Sequence, residues 1–344
     1  MNALRTAVVG CGLIGRRRAA EAKANAASQL ALVVDPAPGV AASVAAEFGC
    51  AAASDWHHAV EDPSIDVVVV ATPNGYLRDI AVAALGAGKH VLLEKPMGRN
   101  LEEARAIARA AQTAGKLVKV GFNHRYHPAL SRAHAAFAAG EIGPIISIRA
   151  RYGHGGRAGY ENDWRGNPEL AGGGELTDQG VHVLDLINWF LGAPDHVVAF
   201  GQTAVWPIAP LEDNGFAMLR FAGGAVATLH TSWTQWKNLF SFEIFGASGA
   251  LLVEGLGKSY GVETLTTQIR KPEGGAPLSR VETFDGPDDS WRLEWDEFTR
   301  AIVAGSPYTG TPADGVAVMS VLADLYESIR TTRIIERSNP VSER

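Results

Sequence analysis

The chain has 344 residues, enough at roughly 150 per domain for about two domains. Its 47% hydrophobic and 20% charged residues are those of a globular protein, which excludes disordered and fibrous classes. A formal charge of −6, from 31 basic and 37 acidic residues, argues against a nucleic-acid partner, and no apolar run approaches the ~18 residues of a membrane span.

From residue 5 to 120, short apolar runs alternate with alanine-rich helical stretches. Strands are predicted at 6–9, 29–34, 67–71, 90–93 and 117–120, and helices near 16–26, 40–48, 80–86 and 101–114. Buried strands with crossover helices predict an α/β fold whose first domain, residues 1–122, is a doubly wound Rossmann sheet.

Residues 123–344 read differently. A helix at 129–139, a glycine-dense loop from 153 to 174 and a helix at 176–191 precede strands at 197–203, 216–221, 225–234, 240–245 and 250–253. No helices separate these strands, and turn signals such as Gly223-Gly224 join them, so an α+β domain with an open, mostly antiparallel sheet is expected. Loops at 271–277 and 285–289 and helices at 291–304 and 313–329 close the chain. The sheet face bearing Phe216, Trp233 and Phe240 is a candidate surface for a homodimer or homotetramer. Cys11 and Cys50 are too few for a disulfide framework, and with no secretory leader pattern a cytoplasmic protein is expected.

The strongest local pattern is Gly10-Cys11-Gly12-Leu13-Ile14-Gly15, which follows a strand and opens a helix. Gly10 permits the tight turn, Gly12 lets backbone approach a pyrophosphate, and Gly15 allows close helix–strand packing. Asp35 ends the second predicted strand, where a carboxylate reaches a ribose 2′-hydroxyl and repels a 2′-phosphate. NAD is therefore expected in preference to NADP, softened if Arg16 or Arg17 reaches the site. The triplet Arg16, Arg17 and Arg18 fits either a solvated helix face or the neighbourhood of a phosphate. Thr72, Pro73 and Asn74 end another strand at the same carboxyl edge and are candidates for the cofactor wall.

Glu94-Lys95-Pro96 follows the strand at 90–93, so Lys95 stands at that edge too. A desolvated lysine can hydrogen-bond a reacting hydroxyl, whereas the bland alternative is a solvated surface lysine. Asp178, His182 and Asp185 fall at i, i+4 and i+7 of an otherwise apolar helix, which puts them on one face. Acid/base catalysis by His182 is the preferred reading, against a satisfied buried network, a metal site or a helix cap. No metal is expected. The loop 153–173, with His154, Arg157, Tyr160, Trp164 and Arg165, is the candidate specificity element.

Taken in order, Gly10–Gly15, Asp35, Ala71-Thr72-Pro73, Glu94-Lys95-Pro96, Gly121-Phe122-Asn123-His124-Arg125-Tyr126-His127-Pro128 and the stretch 172–185 resemble the glucose-fructose oxidoreductase / inositol dehydrogenase family, written Gfo/Idh/MocA. The resemblance implies a Rossmann domain, a C-terminal domain whose open sheet often forms oligomers, and NAD(P)-dependent oxidation of a carbohydrate hydroxyl. It assigns Lys95, Asp178 and His182 to catalysis and suggests Asn123, Trp164 and Arg165 for the cofactor or sugar site. The cofactor-side candidates are thus Gly10, Gly12, Leu13, Ile14, Gly15, Asp35, Thr72, Pro73, Asn74, Glu94, Lys95 and Asn123. Those on the substrate side are Lys95, Arg125, Tyr152, His154, Trp164, Arg165, Asp178 and His182. One position departs from the family: Leu77 stands where a histidine often follows Ala-Thr-Pro. The expected activity is hydride transfer between nicotinamide and a sugar, polyol or nucleotide-sugar. Alternatives are an NAD-dependent glycosidase using transient oxidation, a keto-sugar reductase, and a catalytically silent NAD-binding sensor.

Overall fold

The computed structural model describes residues 3–337, which form two compact units. The first comprises residues up to Asn123 with Glu169–Gly172 and Trp291–Met319; the second comprises His124–Pro168, Gly173–Ser290 and the chain from Ser320. The first unit is therefore not one stretch of sequence, because two later segments join it.

Its elements are β1 (Leu4–Val9), α1 (Leu13–Ala24), β2 (Ser28–Val34), α2 (Pro38–Phe48), β3 (Ala51–Ala53), α3 (His57–Glu61), β4 (Val67–Val70), α4 (Asn74–Gly86), β5 (His90–Leu93), α5 (Leu101–Ala114) and β6 (Val118–Val120). The strands pair in parallel in the order β3-β2-β1-β4-β5-β6, so the winding reverses between β1 and β4. In open α/β sheets that reversal opens a ligand crevice at the strands' carboxyl ends. All four valines of β4 are fully buried, each contributing roughly 1.5–3 kcal/mol of transfer free energy, which is why an uninterrupted apolar run marks a central strand. α4 begins at Asn74 rather than near residue 80, because Pro73 caps it and Asn74, expected at a strand end, opens its first turn. β3 and α3 went unpredicted; three alanines and a five-residue helix carry little periodic signal.

The short α7 (Pro168–Ala171) lies mostly in the first unit, and the second contains α6 (Pro128–Ala138), β7 (Ile145–Gly153), α8 (Val181–Leu191), β8 (His196–Gln202), β9 (Asn214–Arg220), β10 (Val226–Ser232), β11 (Leu239–Gly246), β12 (Gly249–Glu254), β13 (Glu263–Ile269) and β14 (Leu278–Phe284). Then come α9 (Ser290–Ala304), α10 (Pro312–Thr331) and β15 (Ile335–Glu336). The sheet runs β14-β13-β12-β11-β7-β10-β9-β8-β15 and is antiparallel except for the parallel pair β7–β10.

Four of these strands were not expected. β7 alternates, with Ile148, Ala150 and Tyr152 buried and Arg149 and Arg151 exposed, a period of two obscured by its two arginines. β13 is threonine-rich, β14 is an edge with no buried residue, and β15 has two residues. The sheet face also differs from expectation. Trp233 and Phe240 are buried, and only Phe216 of that trio is exposed. Its register neighbour Phe200 and its strand neighbour Met218 are exposed beside it. The helix expected at 176–191 is interrupted as well: Leu176–Gly180 is a π-helical turn, and α8 follows it. Among the described residues no helix is long and apolar enough to cross a membrane.

Candidate active site

In the first unit the glycine turn is required by its surroundings. Gly10 has φ +93°, and a Cβ there would lie 2.4 Å from the Ala71 carbonyl oxygen; one on Gly15 would lie 1.7 Å from the Gly10 oxygen. A Cβ on Gly12 would meet nothing within 4 Å, so that side of the turn is open. Gly12 caps α1 with no side-chain cap, and the first helical turn carries no acidic residue, which leaves a terminus suited to an anion. Leu13 beside it is 72% exposed, and Ile14 is half-buried.

Asp35, just past β2, is held from both sides: Oδ2 accepts the Cys11 N–H at 2.9 Å and Oδ1 the Ala37 N–H at 3.0 Å. This fixes a carboxylate at the rim of the turn. Burial, with Asp35 adding, pushes the Cys11 thiol up to about 12, so it is inert packing. Arg16 reaches Glu47 at 3.3 Å.

The other candidates of this unit lie at the ends of β4, β5 and β6. Thr72 and Pro73 follow β4, and the buried Thr72 hydroxyl has no hydrogen-bond partner among the described residues. An open cradle at Gly12, a fixed carboxylate at Asp35 and an unsatisfied hydroxyl at Thr72 together fit a dinucleotide. Asn74 is buried, and its side-chain amide donates to the Ala171 carbonyl at 2.8 Å. Leu77 is fully buried, so the position often occupied by histidine belongs here to the core. Glu94 is buried and pairs with Arg18, while Lys95 after it is half-buried and Asn123 is buried.

In the second unit, Asp178 lies in the π-turn and His182 on α8. A buried carboxylate absent from the sequence reading shapes the entry to this segment: Glu212 accepts the Gly174 N–H at 3.2 Å, the Leu176 N–H at 3.0 Å and the Tyr326 hydroxyl at 2.8 Å. Burial raises the Glu212 pKa, and these donors work against that rise. A Cβ on Gly173 would lie 2.2 Å from the Tyr326 oxygen and one on Gly174 2.0 Å from the Glu212 carbonyl, so the glycines let the turn settle onto these groups.

Asp178 accepts Arg165 Nε at 3.0 Å; Arg165 itself lies over the Trp164 ring at 4.4 Å. Burial disfavours the Arg165 charge, but Asp178 outweighs it and the guanidinium pKa is raised. Asp185, 1% exposed, accepts both Nε and Nη2 of Arg125 at 2.8 and 2.6 Å. That bidentate pair is a buried support for α8, and the polar stripe expected on one helix face is divided between two arginines. His182 stacks on His124, a contact the sequence did not disclose. Tyr152 is buried against Tyr260, and burial raises its pKa well above the ordinary value. His154 Nδ1 accepts the Gly156 N–H at 3.0 Å. Among the described residues no group of three or more His, Cys, Asp or Glu could hold a metal ion.

Comparison with known proteins agrees with this architecture. Residues 4–122 match the profile of an oxidoreductase family with an NAD-binding Rossmann fold, and residues 130–252 match the GFO/IDH/MocA C-terminal domain. The D-xylose 1-dehydrogenase (NADP(+)) 2 of Haloferax volcanii is 30% identical over 298 residues, 86% of this chain and 88% of that protein. The chain belongs to the Gfo/Idh/MocA family of oxidoreductases. Another similar Gfo/Idh/MocA protein is the levoglucosan dehydrogenase of Pseudarthrobacter phenanthrenivorans, 29% identical over 338 residues and 86% of either chain. A solved structure of levoglucosan dehydrogenase in complex with NADH and levoglucosan has a TM-score of 0.89 at 26% identity, covering 98% of this chain and 100% of that one. In this member, the NAD-binding Rossmann match spans both the glycine turn and Asp35.

Proposed function

We propose that this oxidoreductase is an NAD-dependent dehydrogenase of a sugar or polyol hydroxyl, with Lys95, Asp178 and His182 as its catalytic groups. His182 takes the hydroxyl proton, Asp178 keeps the local charge balance and ring orientation, and Lys95 hydrogen-bonds the oxygen as it becomes a carbonyl. The nicotinamide, when bound, supplies the acceptor for the hydrogen on carbon. The observation that carries the reading is the Arg165–Asp178 pair at 3.0 Å, one turn before His182. An ionised carboxylate on the turn that leads into α8 would favour proton acceptance by the His182 imidazole. Trp164 and Arg165 offer the aromatic face and the donors that bind sugar C–H surfaces and hydroxyls. Two Gfo/Idh/MocA relatives named for levoglucosan and D-xylose support a carbohydrate substrate.

NAD is the proposed cofactor because the fixed Asp35 carboxylate disfavours a 2′-phosphate and Arg16 is engaged with Glu47. The D-xylose relative's name gives NADP(+) whereas the levoglucosan dehydrogenase structure is a complex with NADH, so the reading rests on Asp35 rather than on the relatives. A cytoplasmic setting suits the two free thiols, and the face of Phe200, Phe216 and Met218 suits a homodimer or homotetramer. Lys95→Ala tests the catalytic assignment. Turnover should fall by about 10²-fold or more with NAD affinity, read by protein fluorescence, within twofold of wild type; equal loss of both would remove Lys95 from the chemistry.

A further inference from the structure

Arg18, the last of the arginine triplet after the glycine turn, has no part in the function proposed above. Arg16 and Arg17 are exposed, but Arg18 is 1% exposed. α1 buries Gly15, Arg18, Ala19 and Ala22, so one guanidinium interrupts a stripe of glycine and alanine. Neither a solvated face nor a phosphate contact describes Arg18.

Its fork is taken by two carboxylates. Nε donates to Glu94 Oε1 at 2.7 Å, Nη2 lies 2.6 Å from the same oxygen, and Nη1 donates to Glu294 Oε2 at 2.6 Å. Glu294, from α9, is fully buried, and the Trp291 ring lies 4.4 Å from the guanidinium carbon. Gly121, just past β6, closes over the cluster, since a Cβ there would lie 2.8 Å from Arg18 Nη2 and 3.1 Å from Glu94 Oε2. One planar group thus fixes the helix that opens at the glycine turn, the segment after β5, and α9 to a single geometry.

Stability alone does not account for such a cluster. Desolvating a buried ion pair costs about as much as the pairing returns, and apolar residues of similar volume are often as stable or more so. What the pair holds is specific: Glu94 is joined by one peptide bond to Lys95. We infer that Arg18, clamped between Glu94 and Glu294, is a positioning residue that sets the direction of Lys95. The inference rests on the proposed role of Lys95 in the chemistry.

The test compares Arg18→Lys, which keeps the charge and loses the fork, with the near-isosteric Glu294→Gln in the full chain. Turnover is measured with NAD and whichever inositol, free sugar or nucleotide-sugar gives the fastest NADH formation, alongside NAD affinity and thermal midpoint. Both variants should lower kcat per folded molecule by about tenfold, as expected of a displaced catalytic group, with NAD affinity within twofold of wild type. A kcat within twofold of wild type in the folded variants, whatever the fall in midpoint, would overturn the inference. So would a loss of NAD affinity as large as the loss of kcat, which would tie Arg18 to the glycine turn instead. If Arg18→Lys does not fold, Glu294→Gln alone gives the same decision. Lys95→Ala, assayed beside them, reports separately on the parent reading: retained turnover there would remove the role of Lys95 itself.

Discussion

The imidazole of His124 lies flat on that of His182, with ring centroids 3.8 Å apart and planes inclined by 15°. Both rings are buried, and Tyr152 and Phe240 meet His124 edge-on at 5.4 and 6.0 Å. The stack restricts His182 to one plane, which a proton acceptor must hold to reach a hydroxyl in line. His124→Ala removes that surface and should lower kcat by about tenfold, while His124→Phe keeps a flat ring and should retain most of the activity. Steady-state rates at saturating NAD check this. Equal losses in the two variants would assign the effect to the ring nitrogens rather than its face.

The proposed preference for NAD rests on Asp35. Hydrogen bonds to a charged group are worth about 1.5–3 kcal/mol, so Asp35→Ser should raise the KM for NAD by roughly 10- to 100-fold. It should also improve kcat/KM for NADP by removing the repulsion. Rates with both cofactors decide it; an unchanged NAD to NADP ratio would take the carboxylate out of ribose recognition.

His90 predicts an acid-side loss of stability. Its Nδ1 accepts the Leu117 N–H at 3.1 Å, and burial, with Lys116 adding, lowers its pKa from 6.5 to about 4. The unfolded chain therefore binds this proton first as pH falls. Stability from the neutral ring is fully present above pH 6.5 and is lost as pH falls toward 4. His90→Asn removes the titration. Urea unfolding at pH 7 and pH 5 should show a smaller loss in the variant than in wild type, and equal losses would contradict it.

Much of this was legible in the sequence, and the gaps have physical causes. The glycine turn, Asp35 and the Glu94-Lys95 pair were visible because short-range backbone chemistry sets their spacing. So were the fully buried strands, whose apolar runs need no partner to be recognised. What escaped depended on distant partners. Nothing local announces that Arg18 meets Glu294, that Glu212 caps the π-turn, that Arg125 pairs with Asp185, or that His124 covers His182. β7 hid for a related reason, since its outward arginines break the apolar run while its inward residues make it central.

The exposed row on the second sheet predicts assembly. Phe200 and Phe216 are register neighbours on β8 and β9, and His230 stacks on Phe216 at 4.2 Å. Met218, 51% exposed, extends the patch. Phe216→Glu should shift the protein from dimer or tetramer to monomer by light scattering, with unchanged far-ultraviolet circular dichroism. Identical masses for wild type and variant would place any interface elsewhere.

The most direct test of the account is absorbance at the NADH band while the protein and NAD are offered inositols, free sugars and nucleotide-sugars. A dehydrogenase of this kind should sustain NADH formation with members of one carbohydrate class and lose it in Lys95→Ala. Absence of NADH formation across the panel, and of NADH consumption with the matching keto-sugars, by protein that binds NAD would contradict it.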